Sequence, residues 1–289
     1  MRGPRHWAVA VRKPDGEIAH VARSIDPLQA RHWTLRLPIV RGVVALGESL
    51  AIGFRALSVS ANYAAVEEAE GDTEPAEIGR WALAFAFLVA IGFALAIFKV
   101  GPALLTDLLP ISNGNWFVLV EGLVRVTVFV LYLTVLSFIP SLRRVFQYHA
   151  AEHKAINAFE AGDELTPENA QRHTLIHPRC GTAFLLWVMV VGVFVYALLG
   201  RPVWYWLIIS RNVLLPVIAG VAYELIRFAG KHSENRVLMT LLAPGLWLQR
   251  LTTREPTLDQ LEVSIKALRE VLDLEGREQP ADRRVEVMA

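Results

Sequence analysis

GTAFLLWVMVVGVFVYALLG, residues 181–200, holds no charged side chain. About 20 helical residues at 1.5 Å each cross a hydrocarbon layer of roughly 30 Å. A stretch of that length and apolarity reads as a membrane span. Three more stretches share the property: 81–98, uncharged between Arg80 and Lys99; 115–142; and 202–228, which Arg211, Pro216 and Glu224 interrupt. Proline and glycine are tolerated in spans because neighbouring helices re-satisfy the freed backbone groups. The chain is 54% hydrophobic and 20% charged, with mean hydropathy +0.37, more apolar than a soluble domain of 289 residues. The expected fold is mainly α: a polytopic helical membrane protein with about four spans, an interfacial amphipathic helix and a small N-terminal β-hairpin.

Lys and Arg set the orientation, because basic loops stay on the cytoplasmic side. They gather before residue 81, in the loop from Arg143 to Arg179, and from Arg227 onward; the other two connections offer Lys99 and Arg201. Both termini and the loop 143–181 are therefore expected in the cytoplasm, with the chain multi-pass in the cell membrane and the lipid bilayer as its first partner. The basic start has no apolar core behind it, so no cleavable signal peptide is expected. A net charge of +1 gives no footprint of nucleic-acid binding.

Around the bundle of 80–236, the flanks divide by pattern. In 1–37, alternation at Trp7 to Val11, a Pro14-Asp15-Gly16 turn and a second extended run from Glu17 to Ile25 predict a β-hairpin. Residues 38–66 are helical in period, with Arg41, Glu48 and Arg55 on one stripe. That arrangement suits a helix lying in the interface or packed on the bundle better than a fifth span. The acidic run 67–79 reads as a solvated linker. Residues 237–275 give two amphipathic helices, the first broken at Pro244-Gly245, the second capped by Thr257 and Gln260. Leu258, Leu261, Ile265, Leu268 and Leu272 then recur at threes and fours, so 257–273 needs a helical partner in this chain or in a homo-oligomer. The tail 276–289 is charged and expected to be disordered.

The loop between spans two and three carries the chemistry. His149 and His153 fall one helical turn apart, close enough for both imidazoles to hold one cation. Glu152 beside them completes the H-x-x-E-H order of inverted zinc peptidases, in which the glutamate is the general base. His177 and Cys180, the single cysteine, are spaced to close over the helix and complete the ligand set for a divalent metal, zinc foremost. If all four bound, the site would be closed and structural. Inside the membrane, Glu121 and Arg125 can pair across a turn, and Arg211 interrupts span four at a comparable depth; such charges should face the bundle and find one another. Glu224, near the inner end of span four, is either a distant acidic ligand or a partner of Arg227.

Arg144 to Lys154 (RVFQYHAAEHK), followed by His177 to Thr182 (HPRCGT), resembles the bacterial YqhQ-like family of integral membrane proteins. The likeness extends over Met1 to Pro4, Arg41 to Val44, Glu121 to Arg125, Tyr223 to Arg227 and Leu251 to Pro256. Members usually carry a short glycine-containing segment upstream of the Met-Arg-Gly-Pro point, where this chain begins. The resemblance implies an uncharacterised protein described as a predicted metal-dependent enzyme. Two readings follow: a membrane-embedded, zinc-type hydrolase, or a non-enzymatic oligomeric pore or scaffold in which the His/Glu/Cys loop is structural.

Overall fold

The computed structural model describes residues 1–13, 15–69, 80–111, 113–200, 204–232 and 235–278. Most of the acidic run and of the charged tail lies outside them. In chain order the elements are β1 (His6–Arg12), β2 (Ile18–Ser24), α1 (Leu28–Arg31), α2 (Val40–Ala69), α3 (Arg80–Leu95), a π turn (Ala96–Val100), α4 (Gly101–Asp107), α5 (Gly114–Ser137), α6 (Pro140–Ala161), α7 (Pro167–Gln171), α8 (Gly181–Leu199), α9 (Trp204–Val213), α10 (Leu215–Lys231), α11 (Arg236–Thr252) and α12 (Leu258–Glu278).

Among the described residues, five helical stretches are long and apolar enough to cross a membrane: Val40–Ser60, Leu88–Asp107, Gly114–Ser137, Gly181–Leu199 and Ile209–Lys231. The last four match the expected spans, and α2 is the addition. Helix α8 packs against α5, α10 and α11. Between them Phe129, Leu133, Leu186 and Leu248 form an apolar core. Outward side chains such as Leu198, 90% exposed, suit a lipid surround. Lys99 does not end its helix, because the π turn carries the chain on to Asp107.

The contacts of α2 explain its apolarity. Arg41 forks onto Glu224 of α10, with Nε 2.6 Å from Oε1, and Arg2 Nη2 meets Glu48 at 2.6 Å. Two of the three polar stripe residues thus face protein, while Leu50, Phe54 and Leu57 point outward. Farther along, Gly53, Ala56, Ser60 and Tyr63 face strand β1 across a cavity. The helix therefore packs on α10 at its start and passes beside strand β1 farther along. Its entry sits on Gly220 of α10, where a Cβ would come 2.5 Å from the Ile39 carbonyl oxygen, so only glycine fits. Glu224, expected as a distant ligand or as a partner of Arg227, is instead the seat of Arg41.

The hairpin, α6, α7 and α12 build a layer at one end of the bundle. The two strands pair antiparallel, His6 opposite Ser24 and Arg12 opposite Ile18. Pro140 opens α6, and Gly162, left-handed at φ 80°, closes it: the Asp163 N–H returns to the Ala158 carbonyl. In α12 the Thr257 N–H donates to Gln260 Oε1 at 3.0 Å and the Gln260 N–H to Thr257 Oγ1 at 3.4 Å, the reciprocal cap expected. The stripe Leu261, Ile265 and Leu268 buries against Ala151, Ala155, Ile156 and Ala158, so its helical partner is α6 of the same chain. Each fully buried leucine there contributes roughly 1.5–3 kcal/mol. The expected break at Pro244-Gly245 is absent. Helix α11 runs through it, and the Trp187 indole of α8 packs where a Cβ on Gly245 would stand, at 2.9 Å.

Candidate metal centre

Helix α6 offers His149 and His153 one turn apart, with ring centroids 4.5 Å from each other. Each ring is fixed by a backbone carbonyl. His149 Nδ1 donates to Thr252 O at 2.9 Å, at the end of α11, and His153 Nδ1 donates to Leu175 O at 2.6 Å. A carbonyl only accepts, so both rings carry a proton on Nδ1 and turn Nε2 toward the site, the orientation that metal-binding histidines share. Cys180, the residue that caps α8, brings Sγ to 3.3 Å from His149 Nε2 and is 1% exposed. His153 Nε2 is buried with no hydrogen-bond partner.

Nε2 of both histidines and Sγ of Cys180 are the natural ligand atoms, and the ligand atoms that these three residues offer lie within 4.8 Å of one another. Zinc bond lengths of about 2.0–2.1 Å to nitrogen and 2.3 Å to sulfur, at a tetrahedral angle, set nitrogen and sulfur about 3.6 Å apart. The observed 3.3 Å is close to that spacing. The donor set, the unsatisfied His153 nitrogen and the two carbonyl anchors fit a zinc-type ion held by three ligands.

Electrostatics point the same way. Burial disfavours charge at both groups, yet the hydrogen bond between His149 and Cys180 outweighs it. His149 is raised to about 9, helped by the Thr252 carbonyl, and the Cys180 thiol falls well below its ordinary value. In the protein alone one proton therefore rests on the imidazole beside a thiolate. An ion would replace that proton.

The other predicted residues are placed differently. His177 is fully buried but stands outside the group of three: Nδ1 accepts from the Arg179 N–H at 3.4 Å, and Nε2 faces Glu160 Oε2 at 3.4 Å. Burial, reinforced by His153 nearby, lowers it to about 4, so the ring is neutral. Its backbone is clamped in both directions by the Gln249 amide, each bond 2.9 Å, so His177 fixes the loop that delivers Cys180. Glu160 pairs with Arg179. Glu152 lies 3.8 Å from the Met1 amine with its side chain 38% exposed, and with His149, Tyr148 and Arg144 it lines a cavity of about 990 Å³ between α2, β1, α6 and α12. Gln249 and Thr252, which fix the site from α11, have no signature in the sequence, because both act through ordinary polar atoms some 70 or more residues from their partners.

The intramembrane charges do converge. Glu121, 1% exposed, accepts from Arg125 Nη2 at 2.6 Å and from both terminal nitrogens of Arg211. Arg211 lies 5.4 Å over the Tyr196 ring, whose hydroxyl donates to the Arg211 carbonyl at 3.0 Å.

A family model described as "Protein of unknown function (DUF1385)" matches residues 37–274. The chain is 34% identical over 284 residues, 95% of its own length and 89% of the relative's, to "Uncharacterized protein YqhQ" of Bacillus subtilis (strain 168). No solved structure matches.

Proposed function

We propose, from the premise that the chain belongs to the DUF1385 family of proteins of unknown function, that it is a membrane-embedded, metal-dependent hydrolase of the zinc type. The observation that carries the reading is the convergence of His149, His153 and Cys180, with both Nδ1–H groups already spent on carbonyls. Three protein ligands leave one tetrahedral corner open, the pattern of catalytic rather than structural zinc. The ion supplies Lewis acidity, which makes water a nucleophile at neutral pH and polarises a carbonyl.

The chain's own residues supply the rest. Glu152 precedes His153 on α6 and opens into the cavity that His149 lines, where its carboxylate can take a proton from attacking water at an Oε atom and return it to a leaving group. Thr252 and Leu175 hold the imidazoles in place, and Gln249 holds the loop that carries Cys180. The basic loop between α5 and α8 supports a cytoplasmic site, with both termini on the same side of the cell membrane. Burial of His153 and Cys180 favours one rival, a structural ion that pins residues 172–180 to α6 in a non-enzymatic scaffold.

Elemental analysis of protein purified in detergent tests the metal. One ion per chain is expected, lost in His149→Ala, His153→Ala and Cys180→Ala and kept in His177→Ala and Glu152→Gln. Absence of stoichiometric metal in the wild type, or its retention in the first three variants, overturns the reading. Hydrolysis of ester, amide or phosphoester amphiphiles that disappears in metal-loaded Glu152→Gln supports catalysis; turnover unchanged in that variant removes Glu152 as base.

A further inference from the structure

A second cluster lies at the end of the bundle away from the metal centre. Glu121 is the one carboxylate among described residues in contact with Arg125 and Arg211, and a third cation stands beside them. Lys99, on the π turn, donates to Asn212 Oδ1 at 2.7 Å, next in sequence to Arg211, and its ammonium feels both guanidinium groups. Three cations therefore meet one carboxylate within stretches apolar enough to span a membrane. Donors are in surplus too: Arg125 Nε is buried with no acceptor. Like charges brought together in low dielectric repel unless an anion joins them.

We infer that the Lys99, Arg125 and Arg211 cluster binds a phosphate-class oxyanion. Planar guanidinium forks and a flexible ammonium match a group with several acceptor oxygens better than they match a monatomic ion. Arg211 is held in advance by Glu121 and the Tyr196 ring, whereas Lys99, partly exposed on a long stem, can swing onto an arriving group. Such an oxyanion comes either as the phosphodiester of a lipid headgroup or as free phosphate.

The probes are dioleoylphosphatidylglycerol, uncharged dioleoylglycerol and inorganic phosphate, added to the full chain in non-ionic detergent and read by native mass spectrometry and by equilibrium dialysis of labelled phosphate. Phosphatidylglycerol should be retained at least tenfold over dioleoylglycerol. Lys99→Gln, whose amide can keep the bond to Asn212, should lower that retention about tenfold, and Lys99→Arg should preserve it. Retention of the lipid unaffected by inorganic phosphate assigns the headgroup as the source; saturable binding of inorganic phosphate that displaces the lipid assigns the free anion. Binding of neither, equal displacement by chloride, or wild-type retention in both Lys99→Gln and a folded Arg125→Gln overturns the inference.

Discussion

Zinc binding should release one proton from His149, and the affinity should follow pH accordingly. The imidazole is raised to about 9 and the Cys180 thiol is already a thiolate well below its ordinary value, so at pH 7 the group that an ion must deprotonate is the imidazolium. Because the shift is upward, the competing proton is bound throughout the range below about 9 and lost above it. Between pH 7 and 9, each unit should therefore tighten zinc at least tenfold, or about 1.4 kcal/mol, with ionisation of the metal-bound water adding to the slope. Calorimetric titration of metal-free protein in buffers of different ionisation enthalpy counts the protons directly. A release of none, which would make His149 neutral, refutes the electrostatic account of the site.

Two further outcomes test the frame that holds it. Glu121→Gln leaves Arg125 and Arg211 facing each other without their carboxylate and should destabilise the protein by about 3–5 kcal/mol, read as a lowered unfolding midpoint in detergent. Leu268→Ala opens a cavity between α12 and α6 and should cost about 2–5 kcal/mol while weakening zinc, because α6 carries both histidines; unchanged zinc affinity would show that α12 does not support the site.

What the sequence disclosed was whatever depends on local period and composition. Uncharged runs such as 181–200 announce spans, alternation about Pro14-Asp15-Gly16 announces the hairpin, and Thr257 with Gln260 announces a helix start. His149 and His153 were legible because four residues make one helical turn, and Cys180 because it follows close behind on the same loop. What required three dimensions is equally specific. Glu224 bonds Arg41, 183 residues away, rather than its near neighbour Arg227. Pro244-Gly245 reads as a break, yet α11 continues through it with the Trp187 indole seated on Gly245. His177 has the spacing of a ligand, yet Gln249 and Glu160 turn it to another use. Apolarity alone could not orient α2, because Arg41 and Glu48 of its polar stripe face protein while Arg55 is exposed.

Glu275, fully buried near the end of α12, accepts the backbone N–H groups of Arg5 and His6, at 2.6 and 2.9 Å. During synthesis the opening strand leaves the ribosome about 270 residues before the carboxylate that anchors it. The layer around the two histidines can thus close only after α12, which follows the last long apolar helix in the chain, has been made. A chain truncated before α12 would present α6 with its apolar face bare.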